Sequence, residues 1–168
     1  MDSRIVWWPT LLHRAGDRPV LRFVAEGVRP SRHREVRRSV WTAAARLVPA
    51  AADLAGTFPD ASGPNCFGTV LAAAGVPDVA TEWIFPPRFE AWLAEHTEPV
   101  RDARPGVVLV WRNAEGSAEH AAVTIGEGYA LSKPSQAWCS PRLVWTVPET
   151  ITASRYPGVR LHRYLISA

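Results

Sequence analysis

Residues 63–75 read GPNCFGTVLAAAG, a turn-rich entry, one cysteine, an apolar run and a closing glycine. Gly63 and Pro64 punctuate a loop, and Asn65 has the side chain of an N-cap. Val70, Leu71 and Ala72 to Ala74 form a short buried helix that Gly75 stops. Cys66 therefore stands in the first helical turn, at the positive end of the helix dipole, where thiolate is favoured over thiol and the pKa falls. The other reading of Cys66 is a small hydrophobe in the core, since free cysteine is among the most buried residue types. What decides between them lies downstream, at His120.

The chain has 168 residues, 47% of them hydrophobic, enough for one domain with a full core. We expect a single domain over 1–168, with an N-terminal helical and strand extension, 1–57, packed on a core, 58–168. The net charge of +3 comes from arginine, because Lys133 is the only lysine. This modest basic excess is weak evidence for nucleic acid, and because no basic and aromatic stripe is interleaved in one element, no nucleic-acid partner is expected despite eight tryptophans. The first residues, MDSRIVWWPTLLHRAG, lack the pattern of a secretory leader, and no later stretch is long and apolar enough for a membrane span. The expectation is a cytoplasmic protein with no membrane partner, whose two cysteines, Cys66 and Cys139, are free thiols. No zinc-site spacing and no phosphate-binding glycine loop occurs, so neither metal nor cofactor is expected.

Ahead of the cysteine stretch, Pro19 to Ala25 alternates as a strand, and Trp7 and Trp8 are expected to close over a core edge. From Ser31, a candidate cap, Val36, Val40, Ala43, Ala44 and Leu47 recur at helical spacing as far as Pro49. Arg32, Arg34, Arg37 and Arg38 lie on the opposite face, either as a solvated surface or as a holder of phosphate or carboxylate. Ala50 to Ala55 reads as a second short helix, and 56–65 as a loop.

Beyond Gly75, Glu82 to Phe85 reads as a short strand ended by Pro86 and Pro87. Arg88 to His96 reads as a helix with Phe89, Trp92 and Leu93 on one side, and Glu98 to Pro105 as a link. The period then changes to that of strands: Gly106 to Trp111, His120 to Gly126, Gly128 to Lys133, Leu143 to Val147 and Gly158 to Leu165. Helices followed by a run of antiparallel strands make an α+β domain. Glu127-Gly128 is a hairpin turn that brings His120 near Ser132 and Lys133. Strand alternation nominates Trp111, Val123, Ile125, Leu131, Val144 and Leu161 for the core.

A cysteine at a helix start becomes a nucleophile when a histidine can take its proton and a third polar group fixes that histidine's tautomer. His120 opens the strand HAAVTIG, where Ala121 and Ala122 leave room beside the imidazole. His13, His33 and His96 sit in polar or terminal stretches, and His162 alternates with arginines.

These stretches resemble the NlpC/P60 branch of the papain-like cysteine peptidases. That family's core runs D-C-S-G-x-V, then a strand G-D-L-V-x-F, then H-V-G-I-Y-L-G-x-G. Residues 65–70 (NCFGTV), 106–111 (GVVLVW) and 120–128 (HAAVTIGEG) align with the three without an internal gap. The resemblance covers 58–133, with a weaker echo in RLHRYL near the end. It implies a papain-like fold, a cysteine helix packed on an antiparallel sheet of about five strands. It also puts the third catalytic position at Ser132, twelve residues after His120, where the family carries a histidine or another polar side chain.

Departures bear on mechanism. Asn65 and Phe67 replace the aspartate and serine beside the nucleophile, and Phe58 stands about where the family places a tyrosine near the oxyanion. The oxyanion hole then rests on the Cys66 backbone N–H, with Asn65 or Ser62 as further donors. Ser132 accepts from an imidazole N–H but orients it weakly, so the Cys66 and His120 pair is expected to be partly ionised near neutrality, with activity rising toward mildly alkaline pH. Lys133, on the other face of its strand, is expected as a substrate-carboxylate anchor or a lysine of lowered pKa, and Gln136 as a further binding residue. The expected function is acyl chemistry through a Cys66 thioester. The substrate is a small molecule, a peptide or an acyl group on a carrier, and the product depends on whether water, an amine, an alcohol or a carbon nucleophile accepts the acyl group. The alternative is a non-catalytic module on the same fold that binds an anionic ligand through the arginines.

Overall fold

Alternating apolar runs in the second half of the chain pair into one sheet, and the helices of the first half lie against it. The computed structural model describes residues 30–167. The strand expected at 19–25 and the pair Trp7 and Trp8 lie outside the described residues. From Ser31 onward the chain makes one compact unit.

Its elements in order are α1 (Arg38–Ala44), α2 (Ala51–Leu54), α3 (Cys66–Ala73), a 3₁₀ turn (Val79–Thr81) and α4 (Pro86–His96). Then come β1 (Thr97–Pro99), β2 (Val107–Arg112), β3 (Ala118–Gly126), β4 (Tyr129–Ser132), β5 (Leu143–Thr146), α5 (Val147–Ala153) and β6 (Arg160–Ile166). The α+β class is as the sequence implies, and the sheet has six strands rather than about five, all antiparallel in the order β1-β6-β2-β3-β4-β5. The added strand is β1, which pairs with the end of β6. Its three residues, TEP, are too few to show alternation, so 98–105 looked like a plain link.

The β3–β4 hairpin turns at Glu127 and Gly128, both at positive φ, +47° and +78°. A type I′ turn requires that of both central residues, and glycine supplies the second without strain. The turn fixes the pairing of Ala122 with Ser132, which brings the C-terminal end of β4 to the start of β3.

The two faces of the sheet carry different clusters. Val108, Val110, Ala121, Val123, Ile125, Leu131 and Val144 pack with Cys66, Phe67, Val70 and Leu71 of α3, with Phe89, Trp92 and Leu93 of α4, and with Val40 and Ala44 of α1. Val107, Leu109, Trp111, Ala122 and Ala130 face the other way, with Val147 and Ile151 of α5. Of the six core nominees five are buried, while Leu161 is half-buried near the sheet's end.

Three local expectations are corrected by tertiary contacts. The helix expected from Ser31 begins at Arg38, because residues 31 and 32 run along β5: Arg32 N–H donates to the Val144 carbonyl at 2.7 Å and Val144 N–H donates to Ser31 Oγ at 3.0 Å. Ala43, placed on the apolar face, is exposed, and Val48 is buried in the turn that follows. Residues 82–85 form no strand, since Ile84 buries alone and its carbonyl accepts from Asn65. Pro86 and Pro87 open α4 instead of ending a strand, at positions where the missing N–H has no helical partner to lose. Helix α5 was missed, although Thr146 and Glu149 form a complete capping box.

Candidate functional site

All eight residues of helix α3 are buried. Asn65 caps it: Oδ1 accepts from Gly68 N–H at 3.0 Å, and Nδ2 donates to the Ile84 carbonyl at 2.7 Å. Gly68 lets the helix press on the 3₁₀ turn, since a Cβ there would stand 2.8 Å from the Val79 carbonyl oxygen. These contacts hold the first turn of α3 against the start of β3. The backbone N–H groups of Ala121, Phe67 and Cys66 itself act on the sulfur in the direction that favours thiolate.

Cys66 is 8% exposed. Burial pushes its thiol up to about 11, against the pull of the three N–H groups and the Lys133 charge. This corrects the expectation from the helix dipole. A dipole end is worth about 1 kcal/mol, and loss of water around a thiolate costs more.

His120 is 6% exposed and lies opposite Trp111 in the β2–β3 pairing, their ring centroids 5.3 Å apart. Burial lowers its pKa to about 4. Nε2 lies 3.4 Å from Ser132 Oγ, a contact the register dictates, because His120, Ala122 and Ser132 share one face. Nδ1 has no hydrogen bond to the described residues, and His120 lines the cavity described below. Imidazole and thiol meet at one cavity but make no hydrogen bond to each other among the described residues. At neutral pH both are uncharged.

That cavity measures about 610 Å³. Asn65, Cys66 and His120 line it, with Lys133 to Gln136 on one wall. The other walls are Asn113 to Glu115 with Glu119, and Tyr156 to Val159. These last two segments were not foreseen, because loops carry no periodicity.

Of the other expected residues, Ser132 is buried against His120 and does not line the cavity. Lys133 is 1% exposed, and its Nζ donates to the carbonyls of Ser135, Ala137 and Ser140 at 2.5, 3.2 and 2.9 Å. An ammonium has three N–H groups, so none is left to anchor a substrate carboxylate. Its pKa is lowered to about 8, by burial first and then by Arg142. The other expected role, a lysine of lowered pKa, is the one the surroundings give. Ser62 is exposed, stands outside the cavity lining and accepts from Trp138 N–H at 3.1 Å. Gln136 lines the cavity, and its carbonyl accepts from Gly63 N–H at 2.9 Å.

The arginine face is not one site. Arg32 pairs with Glu35 and Glu149, and Arg37 pairs with Glu127, while Arg34 and Arg38 are exposed. No group of three or more metal-ligating side chains forms among the described residues, and none of their helices is long and apolar enough to cross a membrane.

The chain matches no family model, no curated protein and no solved structure.

Proposed function

We propose that the protein is a cysteine-dependent acyl enzyme on a papain-like core of the NlpC/P60 type, acting inside the cell on a small molecule or peptide. The observation that carries this reading is the meeting of three side chains from three elements: Cys66 opening α3, and His120 on β3 held by Ser132 of β4, with thiol and imidazole on one cavity.

General-base use of Nδ1 requires the tautomer with its hydrogen on Nε2, donated to Ser132 Oγ. Because burial keeps thiol and imidazole neutral, proton transfer accompanies attack instead of preceding it. Sγ bonds to the carbonyl carbon as its proton passes to Nδ1. Negative charge gathers on the carbonyl oxygen near the Cys66 N–H. Collapse breaks the bond to the leaving group, which takes the proton from the imidazolium and leaves a Cys66 thioester. The acceptor, deprotonated by the same nitrogen, then takes the acyl group and restores the thiol.

Intact mass after incubation with acyl thioesters tests this directly. A single acyl adduct on the wild type and none on Cys66→Ala is the expected result, and no adduct up to pH 10 would remove the catalytic reading. The raised thiol pKa, with no Cys66–His120 hydrogen bond, favours one other reading, a module that binds in the same cavity without turnover. Cys66→Ala would then leave ligand affinity unchanged.

A further inference from the structure

We propose that the buried ammonium of Lys133, with the Arg142 guanidinium near it, is the counter-charge for the anion that develops at Cys66 as its thiol attacks. The proposal rests on the acyl-enzyme reading and adds a group to its mechanism. Lys133 is 1% exposed and Arg142 4%, and among the described residues no aspartate or glutamate is buried. Neither cation has an ion pair there. Lys133 donates only to carbonyls, those of Ser135, Ala137 and Ser140. Arg142 donates to Thr57 Oγ1 and to the Ala80 carbonyl, and its Nε is sealed with no hydrogen-bond partner. Fully buried charges are almost always paired, because an ion gives up its hydration on entering the interior. Two such cations without a carboxylate leave this region short of negative charge.

Attack by Cys66 supplies that charge. Lys133 lines the cavity together with Cys66, whereas Cys139 does not line it. Against the burial that dominates both, each of the first two acts on the other: the Lys133 charge favours the Cys66 thiolate, and the thiolate favours the ammonium. The other charges facing Lys133 are Arg142, which opposes its proton, and Cys139, which favours it. Asp60, the anion that acts on Arg142, is exposed. Glu115 and Glu119 line the cavity too, but both are exposed, and water screens their charge from the interior. His120 is shifted by burial alone, so the ammonium that favours an anion on Sγ or on the carbonyl oxygen does not oppose the imidazolium. With its three N–H groups bonded to carbonyls, Lys133 acts through its field, in buried surroundings where that field is least screened.

The test labels Cys66 with iodoacetamide in a Cys139→Ser background, with Lys133 in place and as Lys133→Met, and reads the rate by intact mass. Sγ bonds to the methylene carbon as iodide leaves, and the thiol proton goes to the buffer. At pH 7 Lys133→Met is expected to label about tenfold more slowly, as for a thiol pKa about one unit higher. The gap should close by pH 10, because with a pKa of about 8 Lys133 has by then lost its own proton. Equal or faster labelling of the variant at pH 7, or the same deficit at both pH values, overturns the proposal, since a loosened 135–140 segment would produce either without any effect of charge. A second measurement leaves Lys133 in place. It is the only lysine, so its ¹³Cε resonance is a single signal, and its titration is followed in Cys66→Asp and Cys66→Asn, side chains of one shape that differ in charge. The midpoint is expected about one pH unit higher with the aspartate. Equal midpoints overturn the proposal even where Cys66 forms a thioester. A shift with no thioester from any acyl donor keeps the counter-charge and removes only the acyl-enzyme reading.

Discussion

Ser132 and Lys133 are neighbours in the chain whose side chains take unrelated partners: Ser132 Oγ lies 3.4 Å from Nε2 of His120, and Lys133 Nζ is bonded to three carbonyls of the loop that follows. Replacing either one therefore has a separate signature.

Ser132→Ala removes one long neutral hydrogen bond, worth about 1 kcal/mol. If the serine orients the imidazole, kcat falls about fivefold while KM stays as it was. Steady-state kinetics on any accepted acyl donor decides this, and a wild-type kcat in the mutant would remove Ser132 as a positioning residue.

The buried thiol sets a pH expectation. With a pKa of about 11, Cys66 is thiolate in about one molecule in ten thousand at pH 7. Iodoacetamide labelling of Cys66 in a Cys139→Ser background should rise with pH and show no plateau before about pH 11. A plateau near pH 7 would mean that the helix end outweighs burial.

His120 contributes to stability with a definite sign. Its native pKa of about 4 lies below the ordinary 6.5, so the unfolded chain binds the proton more readily. That contribution is complete above pH 6.5 and is lost as pH falls through 4, about 3 kcal/mol in all. Urea unfolding at pH 7 and pH 4 should show this difference in the wild type and a smaller one in His120→Gln.

Lys133→Met leaves three carbonyls of the 135–140 segment without their common donor. Unfolding free energy should drop by about 2 kcal/mol. Hydrogen exchange should quicken at the amide of Ala137, which donates to Ser135 Oγ. Protection equal to the wild type would show that the loop holds without the ammonium.

Much of this arrangement is legible in the chain. Asn65 and Gly75 mark the ends of the cysteine helix, and Glu127-Gly128 marks the hairpin that brings Ser132 to His120. What escaped reading is tertiary. The N–H of Ala121 at the sulfur has no residue signature, because every residue but proline has that group. The direction of the Cys66 shift depends on how much protein covers the first turn of α3, which no local pattern records. Ser31 and Arg32 follow β5 because an unpaired strand edge competes with helix formation. The capping box Thr146 to Glu149 is written in the sequence, but its cap residue is also the last residue of β5, so strand and helix signals overlap there.

One lysine in 168 residues, sealed to 1% exposure, leaves the folded surface without an ε-amine. Amine-directed biotinylation, cross-linking and isopeptide tagging have no side-chain handle on the native protein, and acetylation of Lys133 has to wait for the loop to open. A single-site clock follows: the rate at which an acetylating reagent marks Lys133, read against pH, reports how often the 133–140 segment swings away. Bound substrate should slow it.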